Sequence, residues 1–215
     1  MVLNRGLFIT FEGIDGSGKT LQLKLLTADL EKADLKYLLL REPGGTSISE
    51  QIRKILLDRK NKEMSAETEL LLFAAARAQL VKQIVEPALA AKTIVISDRF
   101  FDSTTVYQGY GRGMNVDFVH RLNNFATQGL QPDLTFYFDI SVETALDRLK
   151  NRTEKADRID LESQIFMEKT RLGYLQIAEE NPNRVRIIDA ERAPEEIYKD
   201  LKLQFEQAVN LMKCR

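Results

Sequence analysis

Short runs of apolar, β-branched and aromatic residues alternate along the chain with longer stretches whose apolar positions recur at helical spacing. Runs at 7–11 (LFITF), 37–40, 93–97 (TIVIS), 134–138 (LTFYF) and 185–188 read as strands. Their near-continuous apolarity suits a sheet covered on both faces, as in a parallel α/β arrangement. Helical segments are expected at about 19–33, 47–58, 65–91, 115–128, 141–151, 161–180 and 194–212. Ser65 and Thr68 stand before the apolar run at Leu70 as start signals. Pro194, Glu195 and Glu196 fit a first helical turn, where a missing amide costs nothing and carboxylates suit the dipole.

Strands that alternate with helices imply right-handed crossovers and a three-layer α/β/α architecture with a five-stranded parallel sheet. There is no internal repeat, low-complexity tract or Gly/Ser linker, so residues 1–215 are expected to form a single domain. One segment breaks the pattern: residues 150–160 (KNRTEKADRID) are densely charged and lack an apolar face. Taken alone, it reads as a solvated loop.

Composition narrows the class of function. The chain has 215 residues, 44% of them hydrophobic, enough for one sizeable core. Lys plus Arg (31) nearly balances Asp plus Glu (32), which argues against a nucleic-acid polymer as partner. Cys214 is the only cysteine, so no disulfide framework within the chain is expected. The N-terminal residues lack a leader-like apolar run, and residues 70–76 are too short to span a membrane. These features lead to the expectation of a cytoplasmic protein with no membrane partner.

Directly after the first strand comes Gly13-Ile14-Asp15-Gly16-Ser17-Gly18-Lys19-Thr20, matching G-x-x-x-x-G-K-[ST]. The glycines let the backbone close into a concavity whose N–H groups face phosphate oxygens, and the next helix adds its positive end. Lys19 reaches toward the β- and γ-phosphates, and Thr20 offers a hydroxyl to Mg²⁺. The motif within this strand–helix order predicts the P-loop NTPase fold and nucleoside triphosphate binding by residues 13–20. It does not choose among switches, motors and small-molecule kinases. No N-K-x-D base-reading motif for a GTPase is present.

In an open α/β sheet, ligands bind beyond the carboxyl ends of the strands. The second strand ends in Arg41-Glu42-Pro43-Gly44-Gly45-Thr46 and the third in Asp98-Arg99-Phe100, which places two arginines beside the phosphate loop. Each could be a surface ion pair, but a guanidinium fork matches the oxygens of a second phosphate. Phe73 and Arg77 are four apart and share a helix face. They read either as core and solvated neighbour, or as an aromatic for stacking on a nucleobase with a donor for its edge. Residues 102–109 add hydroxyls and the Gln108 amide, able to read sugar or base edges.

In this order, Phe11-Glu12-Gly13 with the phosphate loop, residues 41–46, Asp98-Arg99-Phe100, Tyr107-Gln108-Gly109 and Pro132-Asp133-Leu134 make the chain resemble the thymidylate kinases in their bacterial form, from about residue 7 to 190. The resemblance implies transfer of phosphate from MgATP to thymidine monophosphate (dTMP), giving the diphosphate (dTDP) in dTTP biosynthesis, in a homodimer. It implies that Phe73 stacks on thymine, Arg77 bonds the base edge, and Thr104 and Gln108 complete base recognition. Tyr107 would sit against the deoxyribose, Arg53 and Arg99 would hold the acceptor phosphate, and Asp15 would approach the sugar hydroxyl. Glu42, Pro43 and Ser103 would complete the dTMP site, with Thr20 and Asp98 as the Mg²⁺ ligands.

The resemblance also changes the reading of residues 150–160. In the bacterial branch this region is a lid over ATP whose arginines reach the transferring phosphoryl group, whereas the other branch carries an arginine within the phosphate loop. Here that loop position is Gly16, so the arginine must come from Arg148, Arg152 or Arg158, with Arg158 favoured and Arg152 next. The expected catalytic set is therefore Lys19, Asp15, Arg158 and Arg152. Two rivals remain: a kinase for another acceptor, and a non-catalytic ATP-binding module.

Overall fold

The computed structural model describes residues 5–150, 157–159 and 162–213, with side chains through residue 210. Strands β1 (Phe8–Glu12), β2 (Tyr37–Arg41), β3 (Ile94–Asp98), β4 (Leu134–Asp139) and β5 (Val185–Asp189) form one parallel sheet in the order β2-β3-β1-β4-β5. Each strand lies within one residue of its expected bounds. Burial on both faces makes the central strands β1, β3 and β4 nearly continuous apolar runs, while the edge strands β2 and β5 leave Leu39 and Ile187 exposed.

Alternation along β1 divides the core. Ile9 and Phe11 face one layer, with Ile96, Phe136 and Phe138 of neighbouring strands, and pack on α1 (Lys19–Lys32), α7 (Val142–Lys150) and α9 (Pro194–Lys213). Phe8 and Val95 face the other layer and meet Leu80, Val81 and Phe100. Thr10, on this second face, pairs its buried hydroxyl with that of Thr135 on β4 at 2.7 Å. The result is the expected three-layer α/β/α arrangement.

Side chains start the remaining helices as the residue types suggest. Thr46 caps α2 (Ser47–Leu57) by accepting the Ser49 N–H at 3.0 Å, and Ser65 caps α3 (Ala66–Leu80) by accepting from Thr68 at 3.2 Å. Asn115 caps α6 (Val116–Thr127) and Ser163 caps α8 (Gln164–Glu180) in the same way. The expected helix 65–91 is interrupted: a widened π turn at Val81–Val85 separates α3 from α4 (Glu86–Ala90). Pro87 is the second residue of α4, and its missing N–H leaves a carbonyl of the preceding turn without its usual donor.

The pattern of apolar residues gives no helix at 101–111, yet α5 (Phe101–Thr104) runs there into a second π turn, Thr105–Gly111. Its buried positions include Asp102, Thr104, Thr105 and Gln108. Polar residues thus face inward, so no apolar stripe marks the helix. Among the described residues, no helix is long and apolar enough to cross a membrane.

Candidate active site

The carboxyl ends of β1, β2 and β3 open into a cavity of about 560 Å³. Its donor end is formed by Asp15, Gly16, Ser17, Gly18, Lys19 and Thr20. Gly16 takes φ +85° and Gly18 takes φ +87°, which an L side chain rarely adopts. A Cβ at Gly16 would also lie 2.6 Å from the Ala145 carbonyl oxygen on α7. This loop position therefore has no room for an arginine. Gly18 stands before α1 with no side-chain cap, which leaves the first-turn N–H groups to face the cavity.

Gly13 and Ile14 lie behind the lining and act through their carbonyls. The Lys19 ammonium donates to Gly13 O at 2.8 Å, Ile14 O at 3.1 Å and Ser17 Oγ at 3.3 Å. Burial, then the neighbouring Arg99 cation, lowers the Lys19 pKa from 10.5 to about 8. Its charge is thus closer to titration than that of an ordinary lysine.

Arg99 stands between the two ends of the cavity. Its φ of +70° is unusual for a residue with a Cβ. Two bonds hold this turn: Arg99 N–H donates to Phe11 O at 2.9 Å, and Ser97 Oγ donates to Arg99 O at 2.7 Å. The guanidinium pairs with Asp15 at 2.8 Å, donates to Ser103 Oγ and Tyr174 OH, and lies over the Tyr107 ring at 5.2 Å. Below it, Glu12 is buried and accepts from Phe100 N–H at 2.7 Å, Ser103 Oγ at 2.5 Å and Tyr174 OH at 2.9 Å. Burial, reinforced by the Asp102 charge, pushes the Glu12 pKa up to about 7.

The far end is lined by Phe73 and Arg77 of α3, by Thr104 of α5, by Tyr107 and Gln108 of the π turn, and by Glu42 and Pro43 after β2. Ser103 and Thr104 of α5 and Tyr107 and Gln108 of the π turn that continues it line one wall. Arg77 is buried rather than solvated, at 2% exposure. It donates through Nε to Glu42 at 2.8 Å, through Nη1 to Asn123 at 3.0 Å, and through Nη2 to Thr104 at 2.9 Å and Phe100 O at 3.2 Å. With five N–H donors on a guanidinium, these bonds leave one Nη1 hydrogen uncommitted. Arg53 lines the cavity with its Nη1 on Pro43 O at 2.9 Å. Glu42 Oε1, Asp98 Oδ1 and Gln108 Oε1 are buried acceptors with no hydrogen-bond partner among the described residues, and all three residues line the cavity.

The residues expected from sequence at the donor and acceptor ends therefore converge, apart from the Gly13 and Ile14 backbone behind them. The charged segment is different. Arg152 lies outside the described residues. Arg158 is placed, but not at the cavity: its Nε donates to Leu56 O at 2.8 Å and its Nη2 to Glu69. Its neighbours Asp157 and Ile159 do line the cavity. Arg148, the third candidate, lines it too, and bonds Gly16 O at 3.4 Å and Ala190 O at 3.0 Å.

Sequence reasoning missed several residues of the network around the cavity, among them Asn123 and Arg112. Glu12 is noted above only as part of a motif, Glu69 is hidden in an apolar run, and Tyr174 looks like one more helix residue. A carboxylate at the start of the Leu70–Phe73 run was the available signal for Glu69.

Comparison with known proteins agrees with this geometry. The family model described as thymidylate kinase matches residues 11–201. The chain is 45% identical over 199 residues to the thymidylate kinase of Kosmotoga olearia, covering 93% of this chain and 95% of that one. It is 50% identical over 190 residues to that of Geotalea daltonii, with 86% and 89% covered, and 46% identical over 203 residues to that of Symbiobacterium thermophilum, with 94% of each covered.

Proposed function

The chain belongs to the thymidylate kinase family, and we propose that it transfers the γ-phosphoryl group of ATP to dTMP, giving dTDP on the way to dTTP. The observation that carries this reading is a single cavity with a phosphate loop at one end, a base-sized wall at the other and Arg99 between them.

The acceptor is itself a phosphate, largely deprotonated near pH 7, so no general base is needed. Catalysis rests on holding two anions in line and neutralising their charge. In this reading Lys19 exchanges the loop carbonyls for phosphate oxygens, and residues 13–20 wrap the triphosphate. Arg99 and Arg53 hold the acceptor phosphate, while Asp15 orients Arg99 and approaches the sugar hydroxyl. Phe73 stacks on thymine, the uncommitted Nη1 hydrogen of Arg77 meets a base carbonyl, and Thr104 and Gln108 read the remaining edge. Tyr107 lies against the deoxyribose, and Glu42, Pro43 and Ser103 complete the wall.

Thr20 and Asp98 would hold Mg²⁺, and Asp98 Oδ1, without a hydrogen-bond partner among the described residues, is the kind of oxygen that ion prefers. Bound there, the ion would neutralise phosphate charge. Because Gly16 leaves no room for an arginine, the remaining positive charge is assigned to residues 150–160, from Arg158 first and then Arg152. Arg158 would have to leave Glu69 to deliver it. The chain works as one kinase domain, in the cytoplasm, with this segment as a lid that excludes water.

We assign it as a homodimer. Phe118 and Phe125 are seven apart on α6, Ile48 and Ile55 seven apart on α2, and all four are exposed, as is Leu71 on the α3 helix between them. A second copy would cover these faces.

A panel of nucleosides and nucleoside monophosphates with MgATP tests the reaction. dTMP should be phosphorylated with the highest kcat/KM; preference for an acceptor without a thymine base would overturn the assignment.

A further inference from the structure

One buried carboxylate lies behind the acceptor wall. Glu69, on α3, is only 1% exposed. Its Oε1 accepts from Gln108 Nε2 at 2.8 Å and from Arg112 Nε at 3.1 Å. Its Oε2 accepts from Arg112 Nη2 at 3.2 Å and from Arg158. Burial alone would raise its pKa, but the bonds from Arg112, Gln108 and Arg158 together outweigh burial and hold it below the usual carboxylate range. Glu69 is thus ionised near neutral pH.

An ionised carboxylate has acceptors and no donor. The Gln108 atom that faces it must therefore be the amide nitrogen, which fixes the direction of the other end. Gln108 Oε1 is buried and has no hydrogen-bond partner among the described residues, on a residue that lines the cavity. A buried acceptor left open in this way is costly unless a ligand satisfies it. A free glutamine could rotate its amide and offer either a donor or an acceptor. This one cannot rotate without placing its oxygen against the Glu69 carboxylate.

We propose that Glu69 is a specificity-determining positioning residue: by locking the Gln108 amide, it makes Gln108 present only its acceptor oxygen to the base. The class selected is a pyrimidine whose ring N–H donates at that point, as the imide of thymine or uracil does. Cytosine, whose ring nitrogen there is an acceptor, meets oxygen against a lone pair and is rejected. Arg112 keeps Glu69 in place when Arg158 departs, because Arg112 also pairs with Glu162 at 2.6 Å and lies over the Phe166 ring at 4.7 Å.

The inference rests on the proposed acceptor, and one experiment separates the two. kcat/KM is measured for dTMP, dUMP and dCMP with the wild-type protein and with Glu69→Gln, whose side chain can accept or donate and so frees the Gln108 amide. The dTMP:dCMP ratio should fall about 10-fold or more in the variant, the scale of one mispaired buried hydrogen bond, while the dTMP:dUMP ratio stays within about 2-fold. A loss shared equally by all three acceptors would make Glu69 merely structural and overturn the proposal. A wild-type protein inactive toward dTMP would instead overturn the acceptor assignment. Should Glu69→Gln fail to fold, the side-chain amide resonances of Gln108 in the wild-type protein decide, identified by their loss in Gln108→Met. One proton shifted downfield and exchanging slowly, with and without dTMP, is expected; two freely exchanging protons would contradict a locked amide.

Discussion

Single residues carry the charge balance of the cavity, and Lys19 is the one whose charge is most easily read. Its lowered pKa of about 8, set by burial and by Arg99, means that it is largely protonated at pH 7 and largely neutral by pH 9. The neutral amine no longer attracts triphosphate. kcat/KM for ATP should therefore fall tenfold per pH unit above about pH 8, since this ratio reports the free protein. Lys19→Arg should abolish that limb, and persistence of the limb in the variant would assign it to another group. Arg158 poses a different question, because it is bonded to Glu69 rather than aimed into the cavity. If it meets the phosphoryl group only in the transition state, Arg158→Ala lowers kcat about 10²–10⁴-fold with little change in KM for ATP. An unchanged kcat would pass the role to Arg152.

The elements explain why some features were legible in the sequence and others were not. The central strands β1, β3 and β4 were readable to within a residue because burial on both faces leaves a nearly uninterrupted apolar run. The phosphate loop was readable because its backbone demands glycine at fixed spacing. The residues of the wall at 101–111 were readable as site residues but their helix was not, since it points polar residues such as Asp102, Thr104 and Gln108 inward. Nor was the state of Arg77, because sequence spacing puts it beside Phe73 but cannot supply Glu42, Asn123 and Thr104, which come from three other segments. The interlock of loop and α7 at Gly16 belongs to this scale as well. Gly16→Ala forces a Cβ against the Ala145 carbonyl in a left-handed backbone, a strain of about 1–3 kcal/mol. Calorimetric titration should show ATP affinity reduced about 10-fold or more; wild-type affinity would mean that the loop does not take this shape with nucleotide.

Across the whole molecule, the sheet brings strand ends 84 residues apart, at Asp15 and Arg99, into one ion pair, so donor and acceptor ends share a hinge of charge. The apolar faces of α2 and α6 concern the molecule's surface instead. Phe125, 79% exposed, is the natural probe: light scattering should report a dimer for the wild-type chain and a monomer for Phe125→Glu, whereas a wild-type monomer would remove the homodimer assignment. The central assignment is the transfer itself. The most direct measurement follows γ-labelled ATP in the presence of dTMP and Mg²⁺, with nucleotides separated by chromatography. Label should appear in dTDP in a one-to-one ratio with ADP, and should not appear when Lys19→Met replaces the wild-type protein. Label recovered as inorganic phosphate, with no labelled dTDP, would contradict the assignment.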